Sequence, residues 1–247
     1  MIKFFRKIRY NLMSENKTGK YLKYALGEIL LVMIGILLAL QVNNWNEERK
    51  KSLKENYYLN SIKSSILLSQ KELNRVIVDA ELISSCADTL FTTIAKNKTE
   101  QLEGKFLDSL LFSAGDYSLI SLNDGGIQEI LNTGSLDLIK DDRIRLHLAS
   151  YNDRLHKIRK YEVETEKLSK DFQGYLMHYI DLRRFISSAH EGLIIPSKKM
   201  QLIADPILTN YLAKIANIHQ GMYEMYTEEK EVMDSLDLLI DSYLGND

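Results

Sequence analysis

Ile29-Leu30-Leu31-Val32-Met33-Ile34-Gly35-Ile36-Leu37-Leu38-Ala39-Leu40 is a run of twelve residues without a polar side chain. Alone it is short for a membrane span, which needs about 20 apolar residues. Extended to Tyr24 and Trp45 it becomes 22 residues, with Glu28 near one end and Gln41, Asn43 and Asn44 near the other. At about 1.5 Å of rise per residue this length matches the roughly 30 Å of a bilayer's hydrocarbon core. Tyr24 and Trp45 fall where interfacial aromatic anchors belong. Each central Leu, Ile or Val favours insertion by about 0.3–0.6 kcal/mol, while a central acid costs about 3 kcal/mol. Glu28 lies one turn from the end, where that cost shrinks. Residues 24–45 are read as a transmembrane anchor.

Ahead of the span stand Lys3, Arg6, Lys7, Arg9, Lys17, Lys20 and Lys23 against only Glu15, a net +6 over residues 1–23. The far flank has four basic residues, Arg49, Lys50, Lys51 and Lys54. The positive-inside rule counts basic residues and so keeps the N-terminus in the cytoplasm. Beyond residue 42 the chain is net −7. Cleavage as a signal peptide is the alternative, but Ala39-Leu40-Gln41-Val42-Asn43 lacks two small residues in A-x-A arrangement. Ile2, Phe5, Ile8 and Leu12 recur at helical spacing beside cations. Residues 1–23 therefore read either as an amphipathic helix on the inner leaflet or as a basic flank that only sets topology. In the first case Lys3, Phe5, Arg6, Lys7 and Arg9 contact the membrane surface.

Residues 1–50, MIKFFRKIRYNLMSENKTGKYLKYALGEILLVMIGILLALQVNNWNEERK, resemble the N-terminus of a bacterial family of uncharacterised single-pass membrane proteins common in Bacteroidetes-type genomes. The likeness continues more weakly over Glu129-Ile130-Leu131-Asn132-Thr133-Gly134-Ser135-Leu136-Asp137-Leu138-Ile139, followed by Arg145, Leu148 and Tyr151. It implies a membrane anchor and brings no catalytic residues. The expected location is the bacterial inner membrane, with residues 46–247 in the periplasm. There a lone Cys86 excludes an intrachain disulfide framework and a zinc site of several thiolates.

Between Gly35 and Gly104 there is no glycine or proline. Leu59, Ile62, Ile66, Ser69, Leu73, Val76, Ala80, Ile83, Ala87, Leu90 and Ile94 keep three-four spacing, a helical seam of coiled-coil type. Residues 97–140 break the pattern. A short helix is expected to end at Gly115, and another, capped by Asp124, to run through Asn132 and stop at a left-handed Gly134. Asp141 and Asp142 suit the start of the next helix, expected from Asp142 to Ser187. Its stripe, which includes Ile144, Leu148, Tyr151, Leu155, Ile158, Thr165, Leu168 and Phe172, is interrupted by Glu162. Residues 192–205 read as a loop, and Asp205-Pro206 as an N-cap with proline at the first helical position. The last helix carries Leu208, Tyr211, Ile215, Ile218, Met222, Met225, Glu229, Val232, Leu236, Leu239 and Tyr243 on one stripe. The expected fold is all-α: a single transmembrane helix, then an antiparallel bundle of three long helices with a short helical cap insert at 97–140.

No residue pattern specifies a reaction. Asp153 and His156 form half a metal site without a second half. Asp124, Asp137, Asp141 and Asp142 lack the alternation of a calcium loop and suit helix capping instead. Gly125-Gly126 has neither phosphate-loop spacing, and there is no Gly-x-Ser-x-Gly elbow. No cofactor is expected. The fourteen tyrosines suit a core or an interface rim. Within the span, Gly27, Leu31, Gly35 and Ala39 lie at four-residue steps with Glu28 beside them, a face on which two copies could associate.

A net charge of −2 with 27% charged residues excludes a uniformly basic nucleic-acid binder, and 45% apolar residues can support a core. Two prolines and twelve glycines argue against an all-β chain. Two functional classes follow. The first is a non-enzymatic, membrane-anchored helical scaffold or docking protein of the cell envelope, with the lipid bilayer and an envelope protein as partners. The alternative is a ligand-sensing bundle that signals through a membrane partner, with a pocket lined by groups such as Tyr151, Arg154 or Tyr175.

Overall fold

The structure is a computed structural model that describes residues 18–102, 104–181 and 198–245. Among these residues the chain is helical, with no strand. It divides into two compact units, Met1–Asn56 and Tyr57–Asp247. In chain order the helices are α1 Thr18–Ala95, α2 Gly104–Ala114, α3 Gly125–Asn132, α4 Asp142–Ala149, α5 Tyr151–Leu176, α6 Lys199–Ala204 and α7 Pro206–Leu244. Short 3₁₀ turns occupy Thr99–Gln101 and Ser135–Leu138.

The described part of the first unit is helical throughout and includes the apolar run. In the second unit α1 buries the expected seam: Leu59, Ile62, Ile66, Ser69, Leu73, Val76, Ala80, Ile83, Ala87 and Leu90 are all buried, and Ile94 is half-buried. The helix ends in a left-handed residue, Asn97 with φ 53°, and the Lys98 N–H donates to Thr93 O at 3.0 Å. That closure satisfies a carbonyl which the last turn would otherwise leave open. As expected, α2 stops before Gly115 and Gly134 is left-handed, with φ 65°.

Three expectations are corrected. The helix expected from Asp142 to Ser187 is broken at Ser150 and ends at Leu176. Ser150 Oγ donates back to Leu146 O at 3.0 Å and to His147 O at 3.2 Å, competing with the main-chain ladder. The region expected to be a loop contains α6, which buries Leu202 and Ile203. On α7 the buried stripe is Leu208, Leu212, Ile215, His219, Met222, Tyr226, Glu229, Met233, Leu236 and Ile240. Alternate members are therefore shifted by one residue from the expected Tyr211, Ile218, Met225, Val232 and Leu239, which are half-buried. Both rows are apolar, and a helix packed on two sides partly covers the second row.

Side-chain bonds fix the neighbours of α7. Along α1, Lys63 pairs with Asp241, Gln70 donates to Asp234 and Ser84 donates to Ala216 O. Along α5, Arg154 meets Glu229, Glu162 meets Tyr226 and Phe172 meets Tyr211. The core forms two apolar clusters. One joins Leu59–Ala80 of α1, Ile130 of α3, Ile158 of α5 and Met222–Ile240 of α7. The other joins Ile83–Leu90 of α1, α2, Leu168–Leu176 of α5, α6 and Leu208–Ile215 of α7. Between them in sequence lie Glu162 and Thr165 on α5 and His219 on α7, all buried. Polar residues thus interrupt the buried stripes of α5 and α7 between the two clusters, whereas on α1 Ala80 of one is followed directly by Ile83 of the other.

Within the 97–140 insert one stretch is not helical. Residues 115–124 form no helix. From Ser118 to Gly126 their partners on α1 run backward from Asp79 to Ser65. That is about 21 Å of helix, close to the roughly 26 Å reach of eight extended residues. The segment is a strap laid along the helices.

Candidate functional site

Two regions carry chemistry, one in each unit. In the first unit, the most apolar window of 18 residues has a mean hydropathy of 2.4 and none of it is buried. It is the one candidate membrane span among the described residues. Exposed in water, such a surface would forfeit about 25 cal/mol per Å²; a helix satisfies its own main chain and so suits lipid. Open space surrounds Gly27 and Gly35 where a Cβ would stand, Ala39 is exposed, and Glu28 is half-buried. Trp45 is 66% exposed. Tyr24 belongs to the helix, but its side chain lies outside the described residues, as do Lys3, Phe5, Arg6, Lys7 and Arg9.

In the second unit the strap poses an accounting problem, because its main chain has no strand to pair with. Side chains from three helices solve it. Glu162 of α5 accepts the Ile120 N–H at 2.6 Å and the Tyr226 hydroxyl of α7 at 2.8 Å. Arg159 donates both to Ile120 O at 2.6 Å and to Glu162 at 2.8 Å. On the α1 side, Glu72 accepts the Ser121 N–H at 3.0 Å and Arg75 donates to Leu119 O at 3.0 Å. Ser169 donates to Asp116 O, Gln173 to Gly115 O and Ser69 to Asn123 O. Glu162 is 3% exposed. The residue expected to interrupt the α5 stripe thus lies inside the stripe and holds the strap.

The strap ends where Gly126 meets α1. Its N–H donates to Ser65 Oγ at 2.9 Å, and a Cβ there would stand 2.5 Å from Ser61 O. Glycine is required by this close approach of two main chains. Asp124, expected to cap α3, makes no side-chain cap bond. Its carboxylate accepts the Tyr151 hydroxyl at 2.8 Å and the Gln128 amide at 3.0 Å. Burial, then this bond, pushes the Tyr151 hydroxyl above its ordinary pKa. Burial likewise raises Tyr226, together with the Glu162 charge.

The groups named for a sensing pocket are each committed to an acid of the fold. Arg154 donates to Glu229 at 2.7 and 3.3 Å, to Ser150 Oγ at 2.6 Å and to His147 O at 3.1 Å. Tyr175 and Tyr179 donate to Asp205 at 2.9 and 2.5 Å, while Asp205 also caps α7 by accepting the Ile207 N–H at 2.9 Å. The Tyr179 bond is the main cause holding the Asp205 carboxyl below its usual range. Asp141 caps α4 as expected, accepting from the Arg143 and Ile144 N–H groups. The Arg143 side chain holds it down to about 2.

His219 is 2% exposed and its Nε2 has no hydrogen-bond partner. Burial depresses its pKa to about 4, so it is neutral at pH 7. Asp153 and His156 are exposed. Among the described residues no group of three or more His, Cys, Asp and Glu is arranged to hold a metal ion. A polar recess of about 190 Å³ opens beside the start of the strap, lined in part by Arg75, Asp79, Asp116 and Ser118.

The strap site lay beyond sequence reasoning, although one signal was available: Glu162 and Glu229 occupy apolar registers, where a charge needs a partner. Compared with known proteins, residues 28–173 match the family model described as Family of unknown function (DUF6090). No significant match is found among curated proteins or among solved structures.

Proposed function

The chain belongs to this family of unknown function, and from that premise we propose that it is a membrane-anchored, non-enzymatic helical scaffold or docking protein of the bacterial cell envelope. The observation that carries the proposal is the uncovered apolar run of the first unit, with a mean hydropathy of 2.4 and none of it buried. The basic N-terminal flank supports a cytoplasmic N-terminus, a single pass through the inner membrane and a periplasmic second unit. Partner numbers on α7 fall as those on α1 and α5 rise. We read this as a bundle in which α7 runs antiparallel to both. Docking is favoured over ligand sensing because Tyr151, Arg154 and Tyr175 spend their polar groups on Asp124, Glu229 and Asp205.

Spheroplasts and intact cells treated with protease test the placement. The second unit is expected to be cut in spheroplasts and spared in intact cells. Sparing in both, or release of the chain from membranes by carbonate, overturns it. Native mass spectrometry from nanodiscs tests the role: a co-purified small molecule bound to the second unit would refute docking in favour of sensing.

Self-association through Gly27, Glu28, Gly35 and Ala39 belongs to the same proposal, since small residues at four-residue steps let helices approach closely. Crosslinking in native membranes is expected to trap a dimer. Monomer alone removes this part of the proposal.

A further inference from the structure

We propose that the strap, residues 115–124, is a releasable clasp: the second unit opens by letting it go before any long helix parts. The inference concerns this unit alone and holds whatever the anchor does.

The helices are held by rows of buried apolar side chains. Within the strap only one large apolar side chain, Ile120, is buried, while Asp116, Leu119, Ser121 and Asn123 are exposed. Leu122 packs half-buried against the same core cluster, and the rest of the hold is a set of bonds from side chains to main-chain atoms, centred on Glu162, Glu72 and Arg75. Water can replace the exposed bonds of Glu72 and Arg75 one at a time, so each of these contributes little net stability compared with a buried apolar row, and the buried Ile120–Glu162 bond is the main polar hold. A polar recess of about 190 Å³ beside the strap's start lets solvent reach Asp116 and Ser118. Both ends are fixed. The Gly115 N–H donates to Leu111 O at 3.0 Å, and Gly126 is wedged against Ser61. Release is therefore an outward bulge between two anchored points, a local opening well below the free energy of global unfolding. After release the four charged side chains that gripped the strap still have each other, Glu72 with Arg75 and Glu162 with Arg159. No charge is stranded. The opened state admits water to Glu162 and the Tyr226 hydroxyl bound to it.

Hydrogen exchange on the full chain in nanodiscs tests this. The Ile120 and Ser121 amides are expected to exchange faster than the helical amides of Val76 and Ile215, and Glu162→Gln to speed the strap alone. Loss of one charge-assisted bond corresponds to about tenfold. Should E162Q not fold, Glu72→Gln, at the half-exposed end, gives the same readout through Ser121. Strap amides that exchange only at the rate of the helical ones, or a variant that speeds strap and helices together, overturn the proposal.

Discussion

Glu162 and Ile120 are 42 residues apart in the chain and joined by a 2.6 Å bond from the Ile120 N–H to the Glu162 carboxylate. The same carboxylate takes the Tyr226 hydroxyl, so one acid ties the strap to α5 and α7. Burial of that charge is tolerable because its oxygens are filled by donors.

Replacing Glu162 by Ala leaves the Ile120 N–H and the Tyr226 hydroxyl buried without an acceptor. The expected loss is about 2–4 kcal/mol. Tyr226→Phe removes one bond and is expected to lose only about 1 kcal/mol. Urea denaturation of both variants followed by circular dichroism checks the ranking; equal losses would contradict it.

Two glycines with opposite surroundings make a paired test. Gly126→Ala drives a methyl into the Ser61 main chain, 2.5 Å away, and is expected to cost at least about 2 kcal/mol. Gly221 sits inside α7 with nothing within 4 Å of a Cβ. Gly221→Ala is expected to stabilise by about 0.5–1 kcal/mol. Thermal melts of the two should move in opposite directions.

His219 gives the second unit a pH dependence of known sign. Its folded pKa of about 4 lies below the unfolded value, about 6.5, so the unfolded chain binds the proton more readily. The associated stability is fully present above about pH 6.5 and is lost as pH falls toward 4, on the order of 3 kcal/mol in all. His147, also lowered by burial, acts in the same sense. Asp141, held down to about 2, adds its loss only at lower pH. His219→Met should flatten the melting temperature between pH 6.5 and 4; an unchanged slope assigns the effect elsewhere.

Asp205 serves α7 as a cap and two tyrosines as an acceptor. Asp205→Ala is expected to cost about 1–2 kcal/mol, and Asp205→Asn less, because the amide oxygen still caps. Chemical denaturation of the two variants decides.

How much of this could be read in advance varies along the chain. The α1 seam was legible because uninterrupted three-four spacing admits a single face. On α7 the apolar residues fall in two adjacent rows, Ile218 beside His219 and Met225 beside Tyr226. Periodicity cannot choose between such rows, and the choice came from which neighbours lay on either side. Asp141, Gly134 and the Asp205-Pro206 pair were legible because capping is local. The strap was not. Its bonds run to Glu72, Ser69, Glu162 and Tyr226, whose nearness depends on tertiary packing and leaves no local spacing. The apolar run was plain in composition alone, whereas the polar role of Glu162 required its distant acceptors and donors to be seen together.

The division of the core by Glu162, Thr165 and His219 bears on cooperativity. The helices α1, α5 and α7 run through both storeys, and the strap links them as well, from Gly115 against Phe172 in one to Ile120 in the other. Calorimetry should still find a van 't Hoff enthalpy smaller than the measured heat, with one storey melting ahead of its neighbour. Substitutions confined to one storey could accumulate there without repacking the other, leaving half of the bundle free to diverge.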